Sequence, residues 1–225
     1  KKAQLNNKLK INGEGLYGYD GNSNGQKEYL RLNIGGKKIA FAISGGNKKY
    51  DDYKDGEGNI ESSSFKRYFF TSDAAIMLSK KSVFRIEYIN SNGKDVKYAA
   101  LPMDEVYDKT NIGNIDYYYI SNNTFIKKIN FKAYLSTVDH KMDNALRPNR
   151  SSMYAVANVK TLNTGAIFDI YYKLKDVNIE NGIDYQYIYK DGYRDMTMFM
   201  TMGGLSTVST KKINLWNNSR IENIG

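Results

Sequence analysis

The sequence predicts an all-β fold, an antiparallel β-sandwich or jelly-roll-like domain of about a dozen strands with one or two short helices. Apolar and polar residues alternate in short segments, which is typical of strands that bury one face. Pairs of Gly, Asn and Asp separate these segments at short intervals, as turns do. Only two prolines occur in 225 residues, so extended segments can keep their ladder hydrogen bonds. We interpret residues 1–225 as a single domain, with a weak subdivision near 139–150 as the alternative.

Two predicted hairpins define the first half of the chain. One joins Tyr29–Ile34 to Lys37–Ile43 through Gly35-Gly36, and the other turns at Asn92-Gly93. Both pairs suit two-residue loops, which need positive φ angles. In the first hairpin one face carries six apolar residues, Leu30, Leu32, Ile34, Ile39, Phe41 and Ile43. We expect such faces to form the core of the sandwich.

The two short helices are predicted between strands. Ser72 or Asp73 would cap a helix that ends near Lys81, and Asp139–Arg147 would form one or two helical turns before Pro148. The remaining irregular segments are predicted to be loops at 44–64 and 102–114, a turn at 163–165 and a polar tail at 216–225.

A three-stranded meander is predicted near the C-terminus, over residues 184–214. Methionine recurs at every second residue from Met196 to Met202, so all four side chains share one face of a strand. Asp191-Gly192 and Gly203-Gly204 flank this strand as turn pairs. In that register Met200 pairs with Thr207, and the methionines share a face with Tyr185 and Tyr187. The sequence therefore predicts that this stripe belongs to the core.

The amino-acid composition excludes most kinds of catalytic site. The chain has no cysteine and one histidine, so thiolate nucleophiles and clusters of Cys or several His ligands are absent. A Ser-His-Asp triad would depend on His140, which lies in a polar segment between Asp139 and Lys141. Neither Gly-x-Ser-x-Gly nor a phosphate-binding glycine motif occurs. We therefore predict that the protein is not an enzyme.

The strongest ligand-like pattern suggests calcium. The run from Asp20 to Gly25 matches the first half of the Ca²⁺-loop pattern D-x-[DN]-x-[DN]-G, in which alternate oxygens converge on the ion. The twelfth position is Arg31 where a bidentate Glu is expected, so this is not an EF-hand. The predicted ligands of this calcium site are Asp20, Asn22, Asn24 and Glu28.

Charge and tyrosine content suggest partners. The net charge is +9, spread as Lys doublets along the chain, which suits solvated strands and also an anionic partner such as a glycan, without specific nucleic-acid recognition. Twenty tyrosines favour half-exposed sheet faces and subunit contacts. The tyrosines predicted to bind a partner lie in or beside glycine-rich loops, and they are Tyr17, Tyr19, Tyr50 and Tyr53.

Together these features predict a non-enzymatic structural or surface-displayed β-protein. It would self-assemble into a homo-oligomer or larger assembly, or adhere to a partner, through loops and strand edges. The predicted location is extracellular, at the cell surface or in a virion, with no transmembrane segment because no apolar run approaches ~20 residues. The alternatives are a carbohydrate-binding module and a pore-forming toxin that uses the hairpin 196–210.

Overall fold

One antiparallel sheet of ten long strands makes up most of a computed structural model of the chain, which describes residues 2–122, 125–202 and 205–225. The side chains at 201, 202 and 205 lie outside this description. The strands of this sheet are β1 (Lys10–Asp20), β2 (Gly25–Gly35), β3 (Ile39–Tyr50), β6 (Phe65–Ser79), β7 (Ser82–Val96), β8 (Asp104–Ile120), β9 (Ile126–Asp143), β10 (Met153–Leu174), β11 (Val177–Met202) and β12 (Leu205–Ile224).

Each strand of the sheet pairs with the strand that follows it in this series, so the topology is a simple up-and-down meander. A small hairpin of β4 (Tyr53–Lys54) and β5 (Ile60–Glu61) lies between β3 and β6. A single 3-10 turn, Pro148–Ser151, precedes β10. Within the described residues, no helix is long and apolar enough to cross a bilayer.

The all-β prediction is confirmed, whereas the sandwich or jelly roll is wrong. The structure has one large sheet rather than two that pack face to face. Both predicted α-helices are also wrong, because residues 72–79 belong to β6 and residues 139–143 belong to β9. Residues 139–150 end one strand of the sheet and lead to the next. Although alanine favours helices, Ala74 and Ala75 form part of a strand here because they pair with strands on both sides.

The predicted turns at Asn92-Gly93 and at 163–165 are wrong, because both segments continue through a strand. Gly93 pairs with Asp108 within the β7–β8 ladder. Gly165 pairs with Gln186 and with Tyr134 on its two sides. The predicted loop at 102–114 and the polar tail at 216–225 are likewise mostly strand, and the predicted loop at 44–64 begins as the end of β3. These strands are two to four times the usual ~5–6 residues.

The first predicted hairpin exists with a shifted register. Ile34 pairs with Phe41 and Leu32 pairs with Ile43. The connection is longer than two residues, and the Gly36 N–H donates to the Ile39 carbonyl at 2.8 Å. Because the shift is an even number of residues, the six apolar side chains still share a face, as predicted.

The predicted C-terminal meander is half right. Met200 pairs with Thr207 and Met202 pairs with Leu205, as predicted, around Gly203-Gly204, which lie outside the described residues. Asp191-Gly192 does not turn: it lies within the 26 residues of β11, where pairing with β12 is irregular. Since β11 runs straight through, even-numbered Met196 and odd-numbered Tyr185 lie on opposite faces, and their predicted shared face is wrong.

The two faces of the sheet differ sharply in composition. We call the first the apolar face. Across it runs a row of residues, each paired with the next, that is apolar on all ten strands: Ile11, Ile34, Phe41, Ala74, Ile86, Ile115, Ala133, Ala166, Tyr185 and Ile224. The large members of this row are exposed, and Ile86, in the middle of the sheet, is 47% exposed. The face predicted to be the core is therefore largely uncovered.

The opposite face, which we call the polar face, carries a row that is mostly hydrophilic: Asn12, Asn33, Ala42, Asp73, Glu87, Asn114, Tyr134, Gly165, Gln186 and Asn223. The N-terminal segment lies against this face. Ala3 packs with Ala40, Ala42 and Ala75, and the Arg85 guanidinium donates to the Ala3 carbonyl at 3.1 Å. Burial in the described residues is thus greatest on the polar face.

Connections at the two ends of the sheet differ in length. One end has the connections 36–38, 80–81, 121–125 and 175–176, and we call it the short-turn end. The other end has 21–24, 51–64, 97–103, 144–152 and 203–204, and we call it the long-loop end. The long loops are tied to each other and to the sheet by polar side chains, among them Asn144 and Asp52.

Asn144 organises the connection 144–152. Its side chain is fully buried, donates to the Met153 carbonyl at 2.7 Å, and accepts from the Ala155 N–H at 2.8 Å. Replacing it by Ala would leave two buried backbone groups without partners. We expect Asn144→Ala to lower the free energy of unfolding by about 2 kcal/mol in chemical denaturation. Leu146→Ala, at a 79% exposed side chain of the same connection, is the control; an equal loss in both variants would contradict the role of Asn144.

Asp52 joins two long loops. Its carboxylate accepts from the Ser63 and Ser64 N–H groups at 3.0 and 2.8 Å and pairs with Lys97 at 2.9 Å. Burial raises the pKa of this carboxyl, but the Lys97 ammonium and the two backbone donors outweigh burial and hold the pKa well below its usual range. The stabilisation is therefore present above the unfolded pKa of about 3.9 and is lost as pH falls through the folded value.

We expect Asp52→Asn to speed amide exchange at Ser63 and Ser64 by about fivefold at pH 7, which corresponds to about 1 kcal/mol after allowance for partial exposure. Hydrogen exchange read by NMR measures this effect. The difference from the unmodified chain should shrink as pH falls from about 3.9 toward the folded pKa of Asp52. Asp51→Asn is the matched control, and a difference that grows in acid would contradict the assignment.

Candidate metal centre on the polar face

Three ionisable side chains converge on the polar face near the long-loop end. Asp108 of β8 pairs with His140 of β9, so their side chains are neighbours on one face. Glu105 precedes them on β8, beyond a register irregularity between Glu105 and Tyr107 that brings it to the same face. Within the described residues, these three form the group of His, Asp and Glu side chains close enough to share a metal ion.

The distances within this group are short. His140 Nδ1 lies 3.4 Å from Asp108 Oδ2 and 3.9 Å from Glu105 Oε2. One ligand atom from each residue lies within 4.8 Å of the other two. Asp108 and His140 are partly exposed, whereas the Glu105 side chain is only 4% exposed. The group is therefore open on one side and buried at Glu105.

A tyrosine from the neighbouring loop holds the buried carboxylate. The Tyr98 hydroxyl donates to Glu105 Oε2 at 2.8 Å. Burial and this contact with the Glu105 carboxylate raise the pKa of Tyr98 to about 12, so the phenol remains a donor at neutral pH. Glu105 Oε1, in contrast, is buried with no hydrogen-bond partner.

The loop that carries Tyr98 is itself fixed. The Tyr98 N–H donates to Asp104 Oδ1 at 3.2 Å. The Arg147 guanidinium, from the connection after β9, donates both to this carboxylate and to the Tyr98 carbonyl. Two long loops therefore meet beside Glu105, and Asp104 and Arg147 hold Tyr98 in place.

Because Gly93 has no side chain, the Glu105 carboxylate can occupy the space beside it. A Cβ atom at position 93 would lie 2.6 Å from Glu105 Oε1 and 3.2 Å from Arg67 Nη2. A side chain there would displace the carboxylate, which explains a glycine within a strand. The sequence pattern predicted a turn at this glycine and missed its packing role.

An apolar cluster adjoins the charged group. Met103, Ala155 and Ala157 are buried, and Met142, Met153 and Met196 pack against them. Met142 pairs with Glu105 across β8 and β9. The predicted core role of the methionine stripe therefore applies to Met196, although the cluster lies on the polar face.

The residues predicted to bind calcium are engaged in other contacts. Asp20 Oδ1 accepts from the N–H groups of Asn22 and Ser23, and Asn22 Oδ1 accepts from the Lys54 N–H at 2.9 Å. Asn24 bonds Tyr19 and Asp51, while Glu28 lies in β2 opposite Tyr17. The structure shows an Asx turn that ties two loops together, and calcium binding at Asp20, Asn22, Asn24 and Glu28 stays a prediction.

The tyrosines predicted to bind a partner do not form one group. Tyr17 and Tyr19 are exposed on β1, on the same side of the strand as Ile11, and Tyr53 is exposed on β4. Tyr50 stacks on Phe65 with ring centroids 5.0 Å apart. Partner binding by these residues also stays a prediction.

Sequence reasoning did not place Glu105 and Asp108 in a common site with His140, which it assigned to a polar segment. No spacing motif links positions 105, 108 and 140, which meet only through the register of β8 and β9. The scarcity of histidine was the one available signal, since it singled out His140.

Comparisons with known proteins give a likeness of fold. No protein-family model and no curated protein matches the sequence. Among solved structures, the copper transporter OprC matches with a TM-score of 0.79 and 18% identity, over 94% of this chain and 34% of that chain. The ferric yersiniabactin uptake receptor FyuA from Yersinia pestis matches with a TM-score of 0.53 and 8% identity, over 96% of this chain and 37% of that one.

The chain therefore spans about a third of the length of each of these neighbours. Both are receptor-type β-barrels, not sandwiches or jelly rolls. At such low identities the likeness shows the fold alone. That fold is a meander of long antiparallel strands of the kind found in their barrels.

Proposed function

We propose that this chain forms part of the wall of a β-barrel in a bacterial outer membrane, in a transporter or receptor that takes up a small ligand. The observation that carries the proposal is the apolar row, which crosses all ten strands with only aliphatic or aromatic side chains. In water so much exposed apolar surface is unfavourable, whereas lipid chains would cover it.

The height of the apolar band supports this placement. On β9, every second residue from Ile129 to Leu135 is apolar on this face, and the band ends at Thr137 before Asp139. A tilted strand needs ~9–11 residues to cross a bilayer, which the segment 129–137 supplies. A second row lies two residues nearer the short-turn end on the same face. It is also apolar or aromatic, and its members are Ile39, Ile76, Phe84, Tyr117, Phe131, Phe168 and Ile183.

The two ends of the sheet support an orientation. Outer-membrane barrels have short periplasmic turns and longer extracellular loops. The short-turn end would then face the periplasm and the long-loop end the outside. The polar face would line the interior, with the N-terminal segment inside it. This placement agrees with the predicted cell-surface location. Strands would span the membrane, which the sequence predicted only for the hairpin 196–210 in the pore-forming alternative.

A membrane barrel has no free sheet edge, because backbone groups in lipid need partners. In the described residues β1 and β12 each have one neighbour in the sheet. The proposal therefore requires their outer edges to be paired in the membrane, with each other or with further strands. Assembly with other copies and recognition of a glycan or another anionic partner remain predictions.

The class of ligand is suggested by the neighbours. The names of OprC and FyuA refer to copper and to ferric yersiniabactin. We infer that this chain serves uptake of a metal ion or a metal chelate. This role agrees with the prediction that the chain is not an enzyme.

The membrane placement predicts opposite effects for adjacent residues. Ile115 lies in the apolar row and is 38% exposed, whereas Asn114 lies on the polar face beside Glu87. We expect Ile115→Lys to destabilise the chain in phospholipid vesicles by about 2–4 kcal/mol, since a lysine would enter the bilayer. The measurement is the fraction of heat-modifiable, protease-resistant chain after folding into vesicles.

Asn114→Lys is the matched control and should fold into vesicles as the unmodified chain does. In a water-soluble protein a lysine at an exposed isoleucine changes stability by only about 0.5 kcal/mol. Equal folding of both variants, in vesicles and without lipid, would therefore contradict the proposed function.

A further inference from the structure

The Glu105, Asp108 and His140 group has the donor chemistry of a transition-metal site. It offers one imidazole nitrogen and two carboxylates. Imidazole suits zinc and its first-row neighbours, whereas calcium and magnesium prefer sites of oxygen alone. Three protein ligands with one open side also leave a coordination position for water or for a ligand.

The spacing of the donors fits one ion. Ligands at about 2.0–2.2 Å from zinc lie about 3–3.5 Å apart when they coordinate the same ion. The distances from His140 Nδ1 are 3.4 Å to Asp108 and 3.9 Å to Glu105. The Asp108 and His140 side chains are partly exposed, so small changes in their side-chain torsions would bring the three donors to such distances.

The unpartnered oxygen of Glu105 is a second, independent observation. Buried carboxylate oxygens nearly always have a partner, because an unpaired one costs free energy. Glu105 Oε2 accepts from Tyr98, yet Oε1 is buried with no partner. A cation held by this carboxylate would supply the missing interaction.

Ion pairing within the protein does not account for this oxygen. His140 Nδ1 faces Oε2 at 3.9 Å, which is too long for a hydrogen bond. The Arg67 guanidinium lies near the space beside Gly93, and its Nη1 donates to Ser91 at 3.4 Å. Two carboxylates and one nearby guanidinium leave an excess of negative charge for a divalent cation.

The surroundings would hold the ligands in place. Tyr98 orients Glu105 through its hydroxyl, as groups behind a metal ligand commonly do. Met142 and Met103 form an apolar side next to the group, which limits water access. The open side faces away from the sheet on the polar face.

We propose that Glu105, Asp108 and His140 bind one divalent first-row transition-metal ion, with Tyr98 as a positioning residue. The site requires only the folded β7–β9 region. The proposed metal binding therefore goes beyond the membrane placement and can be tested independently of it.

The composition of the chain makes the test direct. His140 is the only histidine and there is no cysteine, so any imidazole–metal signal comes from this site. The full chain, folded in detergent micelles and free of a polyhistidine tag, is titrated with Zn²⁺ while the imidazole resonances are followed by NMR. We expect a saturable shift at one equivalent, and the visible d–d absorption of a protein-bound complex with Co²⁺ as a second probe.

Asp108→Asn and Glu105→Gln should each weaken Zn²⁺ binding at least about tenfold, and Tyr98→Phe should weaken it less. Glu87→Gln, which changes a carboxylate of the same face outside the group, is the matched control and should bind as the unmodified chain does. If Glu105→Gln, at a buried position, prevents folding, the Zn²⁺ affinities of Asp108→Asn and of the unmodified chain still test the proposal. Unshifted imidazole resonances at saturating Zn²⁺, or equal affinity in Asp108→Asn and Glu87→Gln, would overturn the proposal.

Discussion

Uninterrupted antiparallel pairing is the constraint on which the rest of this structure depends. Side chains alternate strictly along a strand, so a face keeps its character only while every strand keeps its register. From β1 to β12 the pairs follow without a break through the apolar row, and a one-residue slip of β7, for example, would place Arg85 or Glu87 in it. The separation of the two faces, and hence the proposed contact with lipid, follows from this register.

The same register creates the candidate metal centre. Glu105, Asp108 and His140 are brought together because β8 and β9 pair over nearly their whole length. The irregularity next to Glu105 then turns its carboxylate to the face of His140. Loops fixed by Arg147 and Asn144 complete the surroundings, so the group depends on the sheet for its ligands and on the long loops for their support.

Sequence patterns were sufficient for most of the strand character and for the face shared by residues of the first hairpin, but not for strand length. Alternation identified the apolar set from Leu30 to Ile43 correctly, even with the wrong register. Glycine was the source of the misplaced turns, because it suits a turn and a crowded strand equally well. At Gly165 a Cβ would lie 2.4 Å from the Tyr185 carbonyl and 2.7 Å from the Tyr134 hydroxyl, a contact that only the folded sheet reveals.

The interpretation of the apolar face also required the structure. An alternating strand indicates one apolar side and does not say whether protein or lipid covers it. The site residues were hidden for a related reason, since strand pairing leaves no fixed spacing between ligands in the sequence. The sequence therefore predicted which residues of a strand are apolar or polar. The sheet topology was needed to show what lies against each face.

The most direct measurement of the central claim is cysteine scanning of residues 129–137 on β9, which is straightforward because the chain has no native cysteine. Each single-cysteine chain is labelled with an environment-sensitive fluorophore and folded into vesicles whose lipid chains carry a quencher. We predict strong quenching at odd-numbered positions such as Phe131 and Ala133, and weak quenching at even-numbered positions such as Lys132 and Tyr134. Quenching that lacks this alternation, or that is absent at the odd-numbered positions, would contradict the account.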